Sequence, residues 1–586
     1  MENRSMSVVV RKSEVADGMR IDWDVEIPLS DGSLVRADIY RPIDDGQYPV
    51  LMAHGPYAKG LHFADGFPDA WEGLIRDHPE IARESSTRYF NFETADPERW
   101  VPNGYVCIRV DSRGAGCSPG VIDFFSPRET QDFYECIEWA GIQPWSSGRV
   151  GLLGISYYAA NQWQVAALRP PHLAAICPFE GFSDFYRDLV RHGGMLSTFM
   201  IRWYPAQVLN VQHGLGEKGR ISRFAGTPIG GSETLDEAAL AANRIDIKST
   251  LIDHPFYDDY FVARTPDLAR VEVPLLSMGN WGGMGVHLRG NIEAFARAGA
   301  QEKWLEMHGF EHWTEFYTDY GLDLQRRFFD HFLKGEDNGW DKEPALLLQI
   351  RHVDGYRQRK EDQWPLARTR WTRFYLDAQG GHITTGESGA PSAASFRATT
   401  EELTFATGPF AEETEVTGPV AAKLFISSTT VDADLLLTLR LFDPEDREVL
   451  FVGAVDPNVP LTQGWLRASH RKLDLSKSLA WRPFHSHDAA DLLDPGTVYE
   501  LDIEIWPTCI VVPKGYRLVL TVSGHDFDHG LPEPMPKIYG ISQRGSSVML
   551  HDEPIDRPAG TFNGVTTLYT GEGQASYLLL PIIAKT

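Results

Sequence analysis

The most constraining feature of this chain is a serine at the junction between an apolar run and a helix-like segment. Residues 151–160 read Gly-Leu-Leu-Gly-Ile-Ser-Tyr-Tyr-Ala-Ala, and the helical pattern continues to Leu168. A strand-to-helix turn of this kind pushes the serine hydroxyl out of the backbone, and the helix behind it offers a free N–H to a developing oxyanion. The pattern predicts a nucleophile elbow at Ser156.

The elbow departs from the usual G-x-S-x-G motif at its second glycine. Gly154 is present, but Tyr158 stands where the second glycine would be. Glycines relieve crowding at this strained turn, so the motif taken alone is only moderately specific.

The segments before the serine place it in a parallel sheet. Residues 48–53 and 105–111 are apolar runs that lead into the glycine-rich loops 54–60 and 112–120, and 132–141 has a helical pattern. Short apolar strands that end in such loops are typical of a sheet whose site lies at the strand C-terminal ends. We therefore predict an α/β-hydrolase domain with a mostly parallel sheet.

Four ordered motifs resemble one known family. They are Gly-Pro-Tyr-x-Lys at 55–59, Asp-x-Arg-Gly-x-Gly-x-Ser-x-Gly at 111–120, Gln-Pro-Trp-Ser-x-Gly-x-Val-Gly at 143–151 and Gly-x-Ser-Tyr at 154–157. Together they resemble the serine hydrolases that include cocaine esterase, α-amino-acid ester hydrolases, glutaryl-cephalosporin acylases and Xaa-Pro dipeptidyl-peptidases. The resemblance spans nearly the whole chain. It implies that Ser156 attacks the acyl carbon, that the Tyr57 hydroxyl and the Tyr157 N–H form the oxyanion hole, and that no cofactor or metal is needed.

The general base is expected on the loop after the last sheet strand. Residues 303–307 are a candidate strand, and His308-Gly-Phe-Glu-His312-Trp follows it. In the resembled family the base follows a Gly-Pro-Trp-x-His loop, and this alignment selects His312 with His308 as its competitor.

The triad acid is where this sequence departs from the family. Those enzymes carry an aspartate in a Gly-Gly-Trp-x-Asp loop, and here Gly283 occupies the aspartate position after the predicted strand 273–278. A carboxylate is still expected, because the imidazole must be held in one tautomer. Glu180, which follows the predicted strand 173–177, is our first choice, and Asp258 or Asp259 are the alternatives.

The remaining chain is predicted to form a cap and a β domain. Helix-like segments at 185–192, 197–207 and 235–242 predict a helical cap at 179–261 inserted into a catalytic domain of 1–178 and 262–344. Strand patterns after the catalytic domain predict an all-β sandwich at 345–586. The family resemblance implies that this sandwich is a jelly roll. Aromatic residues of the insertions could line an acyl or alcohol pocket: Phe63, Phe67, Trp71, Trp203, Tyr204 and Tyr257. Four histidines in the β region lack metal-ligand spacing and are read as polar loop residues: His485, His487, His525 and His529.

Composition limits the partners. The net charge of −26 argues against nucleic acid and anionic membranes. Neither an N-terminal apolar signal region nor an apolar run of about 20 residues is present, which predicts a cytoplasmic protein. The sequence leaves homo-oligomer formation open.

These features predict a serine hydrolase that cleaves carboxylic esters, with amides as a further option, through an acyl-enzyme intermediate. Two alternatives stay open. One is amide hydrolysis of the Xaa-Pro dipeptidyl-peptidase or acylase type, and the other is a catalytically decayed ligand-binding protein, which the missing aspartate at Gly283 suggests.

Overall fold

The structure is a computed structural model that describes residues 10–387 and 389–584. Its N-terminal unit is built on strands β1 to β13, which are Lys12–Ala16, Met19–Pro28, Leu34–Pro42, Tyr48–Gly55, Val106–Asp111, Ser146–Ile155, Leu173–Phe179, Arg191–His192, Met195–Leu196, Leu275–Asn280, Lys303–His308, Leu346–His352 and Gly355–Glu361.

All of these strands except β8 and β9 form one mixed sheet. Its order is β1-β2-β3-β5-β4-β6-β7-β10-β11-β12-β13. Strands β4, β5, β6, β7, β10, β11 and β12 run parallel to their neighbours along this path, and the strands at the two edges pair antiparallel. The C-terminal ends of the parallel strands therefore share one edge, as the sequence predicts.

Helices flank this sheet and form the segment between β7 and β10. The α-helices α1 to α12 are Phe63–Gly66, Pro68–Asp77, Pro97–Trp100, Pro127–Gly141, Tyr157–Ala167, Phe199–Trp203, Glu237–Ala242, Ile247–Asp253, Asp259–Val262, Leu288–Arg297, Thr314–Tyr317 and Asp319–Phe329. Single π-helical turns occur at Phe185–Val190, Tyr204–Val208 and Asp330–Lys334. The 3₁₀ turns are Pro79–Ala82, Val101–Asn103, Leu209–Val211, Gly216–Lys218, Leu268–Arg270, Trp340–Lys342 and Ala468–His470. The helices predicted at 185–192 and 197–207 are thus shorter and partly π-helical.

The packing of Tyr158 against two glycines explains the unusual elbow sequence. A Cβ on Gly154 would lie 2.4 Å from the Tyr158 Cβ, so this position has no room for a side chain. A Cβ on Gly55, at the end of β4, would lie 2.7 Å from the Tyr158 ring. The motif has Tyr158 in place of its second glycine, and Gly55 on the neighbouring strand leaves the space that the Tyr158 ring fills.

The C-terminal unit is almost entirely β-structure. Strands β14 to β27 are Thr369–Asp377, His382–Thr384, Ser392–Arg397, Glu402–Thr407, Thr414–Ser428, Asp434–Phe442, Glu448–Val449, Thr462–Arg467, Tyr499–Val512, Arg517–Ser523, Lys537–Ile538, Ile541–Ser542, Val565–Thr570 and Tyr577–Ile583, and helix α13 is Ala559–Phe562. Strand β27 pairs with both β14 and β18, which closes the second sheet into a barrel.

The second sheet begins later than the sequence predicts. Strands β12 and β13 continue the first sheet, with β12 parallel to β11, and the second sheet starts only at β14. Strands β12 and β13 thus belong to the first sheet and not to the predicted sandwich, while the domain boundary at 345 stays a prediction. The cause is that an edge hairpin and a sandwich strand have the same alternating pattern, which does not reveal the sheet to which a strand belongs.

Buried polar contacts join the two units. Arg289 on α10 donates from Nε to Glu504 Oε1 on β22 at 2.9 Å, and Arg351 on β12 donates from Nε to the Cys509 carbonyl at 2.8 Å. Arg191 pairs with Asp556 at 2.7 Å. Among the described residues no helix is long and apolar enough to cross a membrane.

Candidate active site

Ser156 lies in a strained turn between β6 and α5. Its φ of 59° and ψ of −112° fall in a region that L-residues rarely adopt, and such strain is typical of functional turns. The Ser156 N–H donates to the Phe179 carbonyl at 3.1 Å, which ties the turn to the end of β7. Tyr157 is the first residue of α5, where a helix has no internal acceptor for the N–H. This backbone geometry is that of a nucleophile elbow.

Glu180 and His312 meet beside this edge of the sheet. Strand β7 ends at Phe179, so Glu180 follows it directly, and His312 lies on the loop after β11. Glu180 Oε2 is 2.7 Å from His312 Nδ1, and both side chains are buried. The Asn280 amide donates to Glu180 Oε1 at 3.1 Å. A carboxylate at Nδ1 keeps the proton there and leaves Nε2 for proton transfer.

The two groups stabilise each other's charge. Burial alone would raise the pKa of Glu180, but the neighbouring histidines His312 and His308 lower it overall. Burial alone would lower the pKa of His312, but the carboxylates of Glu180 and Glu93 raise it to about 10. The carboxylates of Glu180 and Glu93, one at each ring nitrogen, therefore favour the imidazolium form of His312.

His308, the competing base, is placed elsewhere. It ends strand β11 fully buried, with Nδ1 2.7 Å from Glu306 Oε2 and Nε2 3.1 Å from Glu180 Oε1. Burial opposes protonation, yet these two carboxylates raise the pKa of His308 to about 10. With both ring nitrogens on carboxylates, His308 supports Glu180 from behind and does not line the cavity that contains Ser156.

The alternative acids are also distant from this cavity. Asp258 Oδ2 is 2.6 Å from His254 Nδ1, and its other oxygen caps helix α9 by accepting from the Tyr260 N–H at 3.1 Å. Asp259 is exposed in the first turn of that helix. The structure therefore brings Glu180 to the imidazole of His312 and leaves Asp258 and Asp259 in the segment between β7 and β10.

A second histidine, His287, contacts the serine directly. It lies four residues after Gly283, on the loop between β10 and α10, and its Nε2 is 3.2 Å from Ser156 Oγ. The Phe182 N–H donates to its Nδ1 at 3.2 Å. The ring stacks on that of His312, with centroids 5.3 Å apart and planes at 5°. Burial and the charge of His312 lower the pKa of His287 well below its usual value.

Glu93 is a further buried carboxylate at the site. Its Oε1 is 3.2 Å from His312 Nε2, and among the described residues its Oε2 has no hydrogen-bond partner. Burial raises the pKa of Glu93 to about 7, against the lowering effect of His312. The nitrogen that a general base needs is therefore occupied by Glu93 in this structure, and Ser156 bonds His287 instead.

The predicted oxyanion donors flank the serine. Tyr57 is buried, lines the same cavity as Ser156, and packs edge-on against the rings of Tyr157, Tyr158 and Trp203. The Tyr157 side chain points away from this role, because its hydroxyl donates to Glu129 at 2.6 Å. Only its backbone N–H is available for the part the sequence assigns to it.

The cavity over Ser156 has two chambers. The inner chamber of about 50 Å³ contains Ser156, Tyr57, Glu93, His287 and His312. An outer chamber of about 520 Å³ shares seven lining residues with it. The shared residues come from both units of the chain: Phe67, Gln207, Trp313, Ala454, Val455, Ile538 and Tyr539.

Only some of the predicted aromatic residues line these chambers. Phe67 and Trp203 do, whereas the other four pack in the surrounding core: Phe63, Trp71, Tyr204 and Tyr257. Among the described residues no cluster of three or more histidine, cysteine or acidic side chains could hold a metal. His485 and His487 are buried near each other and beside the Arg187 guanidinium. Burial is the main cause that lowers the pKa of both histidines, and the charge of Arg187 lowers it further.

Sequence reasoning missed His287 and Glu93. His287 follows β10, the strand that precedes β11 in the sheet, whereas the sequence motif of the base points to the loop after β11. A histidine so close to the missing aspartate position was the signal available. Glu93 lies in the long connection between β4 and β5, where no motif or periodicity marks it.

Comparison with known proteins identifies the family of this chain. Residues 31–314 match the X-Pro dipeptidyl-peptidase (S15 family) model, and residues 338–579 match the X-Pro dipeptidyl-peptidase C-terminal non-catalytic domain model. The fold, the elbow and the two matches define a serine hydrolase with an N-terminal hydrolase-type domain and a C-terminal β domain. The chain belongs to the family that contains cocaine esterase and the Xaa-Pro dipeptidyl-peptidases.

Individual relatives match over almost their full length. The chain is 24% identical to the cocaine esterase of Rhodococcus sp. (strain MB1 Bresler), over 96% of this chain and 98% of that protein. A crystal structure of a CocE/NonD family hydrolase from Staphylococcus aureus superposes with a TM-score of 0.83 at 29% identity, over 99% of both chains. An α-amino acid ester hydrolase has the same fold, with a TM-score of 0.67 at 16% identity over 99% of this chain and 100% of that one. The protein is therefore a hydrolase, of the esterase or the S15 peptidase type.

Proposed function

We propose that this protein is a serine carboxylic-ester hydrolase with Ser156, His312 and Glu180 as its triad. The observation that carries the proposal is the 2.7 Å contact between Glu180 and His312 Nδ1 at the sheet edge that also bears the strained Ser156. A carboxylate on Nδ1 is what a serine–histidine pair needs, and Glu180 supplies it where Gly283 has no side chain.

The reaction follows from these positions. Ser156 Oγ bonds the acyl carbon as its proton passes to His312 Nε2, and the Tyr57 hydroxyl and Tyr157 N–H stabilise the oxyanion. The bond from carbon to the alcohol oxygen then breaks, and His312 returns the proton to that oxygen. Water repeats the sequence on the acyl-enzyme and releases the acid. To act as base, His312 must first give up its Nε2 proton, for which Glu93 is the adjacent acceptor, and Nε2 must then face Ser156 in place of Glu93.

The polar lining of the cavity supports esters over dipeptides. A dipeptidyl-peptidase needs a carboxylate for the substrate ammonium, and Glu93 is the only carboxylate among the described residues of the inner chamber. Its Oε1 is already on His312 Nε2. The unpartnered Oε2 of Glu93 and the match to the S15 peptidase model are the observations that favour the peptidase alternative.

The finer architecture supports the same proposal. We propose that 179–261 acts as a cap, because Phe199, Trp203 and Gln207 from it line the inner chamber. The all-β unit is proposed to be a jelly roll, and it contributes Tyr539 and Val455 to the same chamber. The decayed ligand-binding alternative depended on Gly283, and the position of Glu180 weakens it.

Labelling with a fluorophosphonate tests the proposal. We expect wild-type protein to be modified at Ser156 and Ser156→Ala to stay unmodified, with Ser476→Ala, an exposed loop serine, labelled like wild type. Turnover of aryl and alkyl esters should exceed that of matched amides and of Xaa-Pro anilides. Unlabelled wild-type protein would support the decayed alternative, and faster cleavage of Xaa-Pro anilides would support the peptidase.

A further inference from the structure

His287 is held between a backbone donor and the proposed nucleophile. Its Nδ1 lies 3.2 Å from the Phe182 nitrogen, and its Nε2 lies 3.2 Å from Ser156 Oγ. The loop that presents it is fixed from behind, because His192 Nε2 is 2.8 Å from the Gly285 carbonyl. The ring is therefore positioned at the serine by two hydrogen bonds and by a loop that is itself tied to His192.

The backbone contact assigns the proton on the ring. A peptide N–H can only donate, so Nδ1 of His287 must present its lone pair to Phe182. A neutral imidazole then carries its single proton on Nε2, where Ser156 Oγ is the acceptor. In this tautomer Nε2 has no lone pair, so His287 cannot take the serine proton.

The surroundings keep the ring in this neutral form. His287 is 3% exposed, and its ring lies parallel to the His312 ring at 5.3 Å between centroids. The groups that face it are Phe182, Ser156 and the His312 imidazolium, with Glu180 behind His312. A second positive charge stacked on His312 is disfavoured, so His287 remains an uncharged donor while His312 carries the proton.

We propose that His287 is a second catalytic histidine, which donates a hydrogen bond from Nε2 to Ser156 Oγ. This proposal rests on the proposed function and adds a role that the triad does not supply. With one lone pair of Oγ engaged by His287, the serine proton is directed away from this ring and toward His312. The same bond stabilises the negative charge on Oγ as the bond to the acyl carbon forms, and again as it breaks in deacylation.

Two substitutions separate a donor from a base. Glutamine reaches the Nε2 position with an N–H and keeps the bond, whereas methionine in His287→Met fills the space without a donor. We expect His287→Met to lower kcat/KM for an aryl ester about 10- to 100-fold, the effect of losing one buried hydrogen bond to a reacting atom. His287→Gln should recover about tenfold of that loss. Both variants should keep the shape of the wild-type pH profile of kcat/KM, because its acidic limb reflects the titration of His312.

The outcomes distinguish the possible roles. If His287 is the base, His287→Gln will be as inactive as His287→Met and will lose the acidic limb, which would overturn the proposal. A His287→Met protein that reacts with the fluorophosphonate as fast as wild type also overturns it and leaves the triad intact. Wild-type protein without labelling at Ser156 removes the proposed function and this inference together. Thermal melting of both variants shows that they are folded.

Discussion

The Glu180 carboxylate lies 2.7 Å from His312 Nδ1, although the two residues are 132 positions apart in the chain. Glu180 follows β7 and His312 follows β11, and the intervening strand β10 brings the two loops side by side. Glu180 adopts a φ of 49°, so the backbone turns sharply as it leaves the strand. In the proposed triad, Glu180 takes the place of the acid that the resembled family carries on the loop after β10, and it reaches the imidazole from the loop after β7.

Replacing this acid should cost most of the activity. We expect Glu180→Gln to fold and to lower kcat/KM by about 10⁴-fold, because the amide no longer stabilises the imidazolium that forms during attack. Steady-state kinetics on an aryl ester measure the loss. Asp258→Asn and Asp259→Asn serve as controls and should stay within severalfold of wild type. A fully active Glu180→Gln would return the search to those two aspartates.

Tyr57→Phe tests the oxyanion hole. Removing the hydroxyl should lower kcat by about 10²- to 10³-fold, the usual effect of losing one oxyanion donor. The ring itself should keep its packing against Tyr158 and Trp203, so the melting temperature should change little. Tyr317→Phe, which removes a buried hydroxyl bonded to the Thr94 carbonyl, is a matched control for hydroxyl loss outside the cavity. An unchanged kcat would make Tyr57 a packing residue.

Glu93 should set the pH dependence. A carboxylate beside His312 stabilises the imidazolium and raises its pKa, and the base works only when it is unprotonated. Activity should therefore still rise with pH above neutrality in the wild type. In Glu93→Gln the acidic limb of the profile of kcat/KM should move down by about one unit or more. Glu72→Gln, an exposed carboxylate, should leave the limb in place, and a limb that stays in place for Glu93→Gln would contradict the assignment.

Asp556 should stabilise the contact between the two units. Its oxygens pair with Arg191 at 2.7 Å and Arg467 at 2.9 Å, and all three side chains are buried. Asp556→Asn removes the carboxylate from Arg191, whereas Arg467 keeps its ion pair with Asp434, and should lower the free energy of unfolding by about 3 kcal/mol. Denaturant titration measures it. Asp552→Asn, whose partner Arg202 is on the surface, should cost about 1 kcal/mol or less.

The contribution of Asp556 to the free energy of unfolding should also depend on pH, in a direction that its pKa determines. Burial would raise the pKa of Asp556, but Arg467 and Arg191 outweigh it and lower the pKa to about 2. A depressed carboxyl pKa stabilises the fold above the unfolded value of about 3.9 and loses this effect as the pH falls toward 2. The difference between wild type and Asp556→Asn should therefore shrink below about pH 4. A constant difference down to acid pH would contradict it.

The sequence predicted the elements whose signals are local. Ser156, the parallel strands and Glu180 follow from apolar runs and from the rule that parallel strands end at one edge. His287 was not predicted as a site residue, because a loop histidine has no periodicity. Its hydrogen bonds with Phe182 and Ser156 form only once β7 and β10 are neighbours. The sheet to which β12 and β13 belong was missed for a similar reason, since a strand pattern does not encode its pairing partners. The triad roles and the cytoplasmic location stay predictions.

The origin of the walls of the cavity over Ser156 affects how mutations can alter the substrates that this protein accepts. Ala454, Val455, Ile538 and Tyr539 belong to loops and short strands of the barrel unit, whereas the reacting side chains all belong to the first unit. Mutations in those barrel loops can therefore reshape which molecules fit without touching the serine, the histidines or their carboxylates. Selection and engineering can therefore alter the fit of the substrate from the barrel side of the cavity, while the reacting groups and the rest of the wall stay as they are.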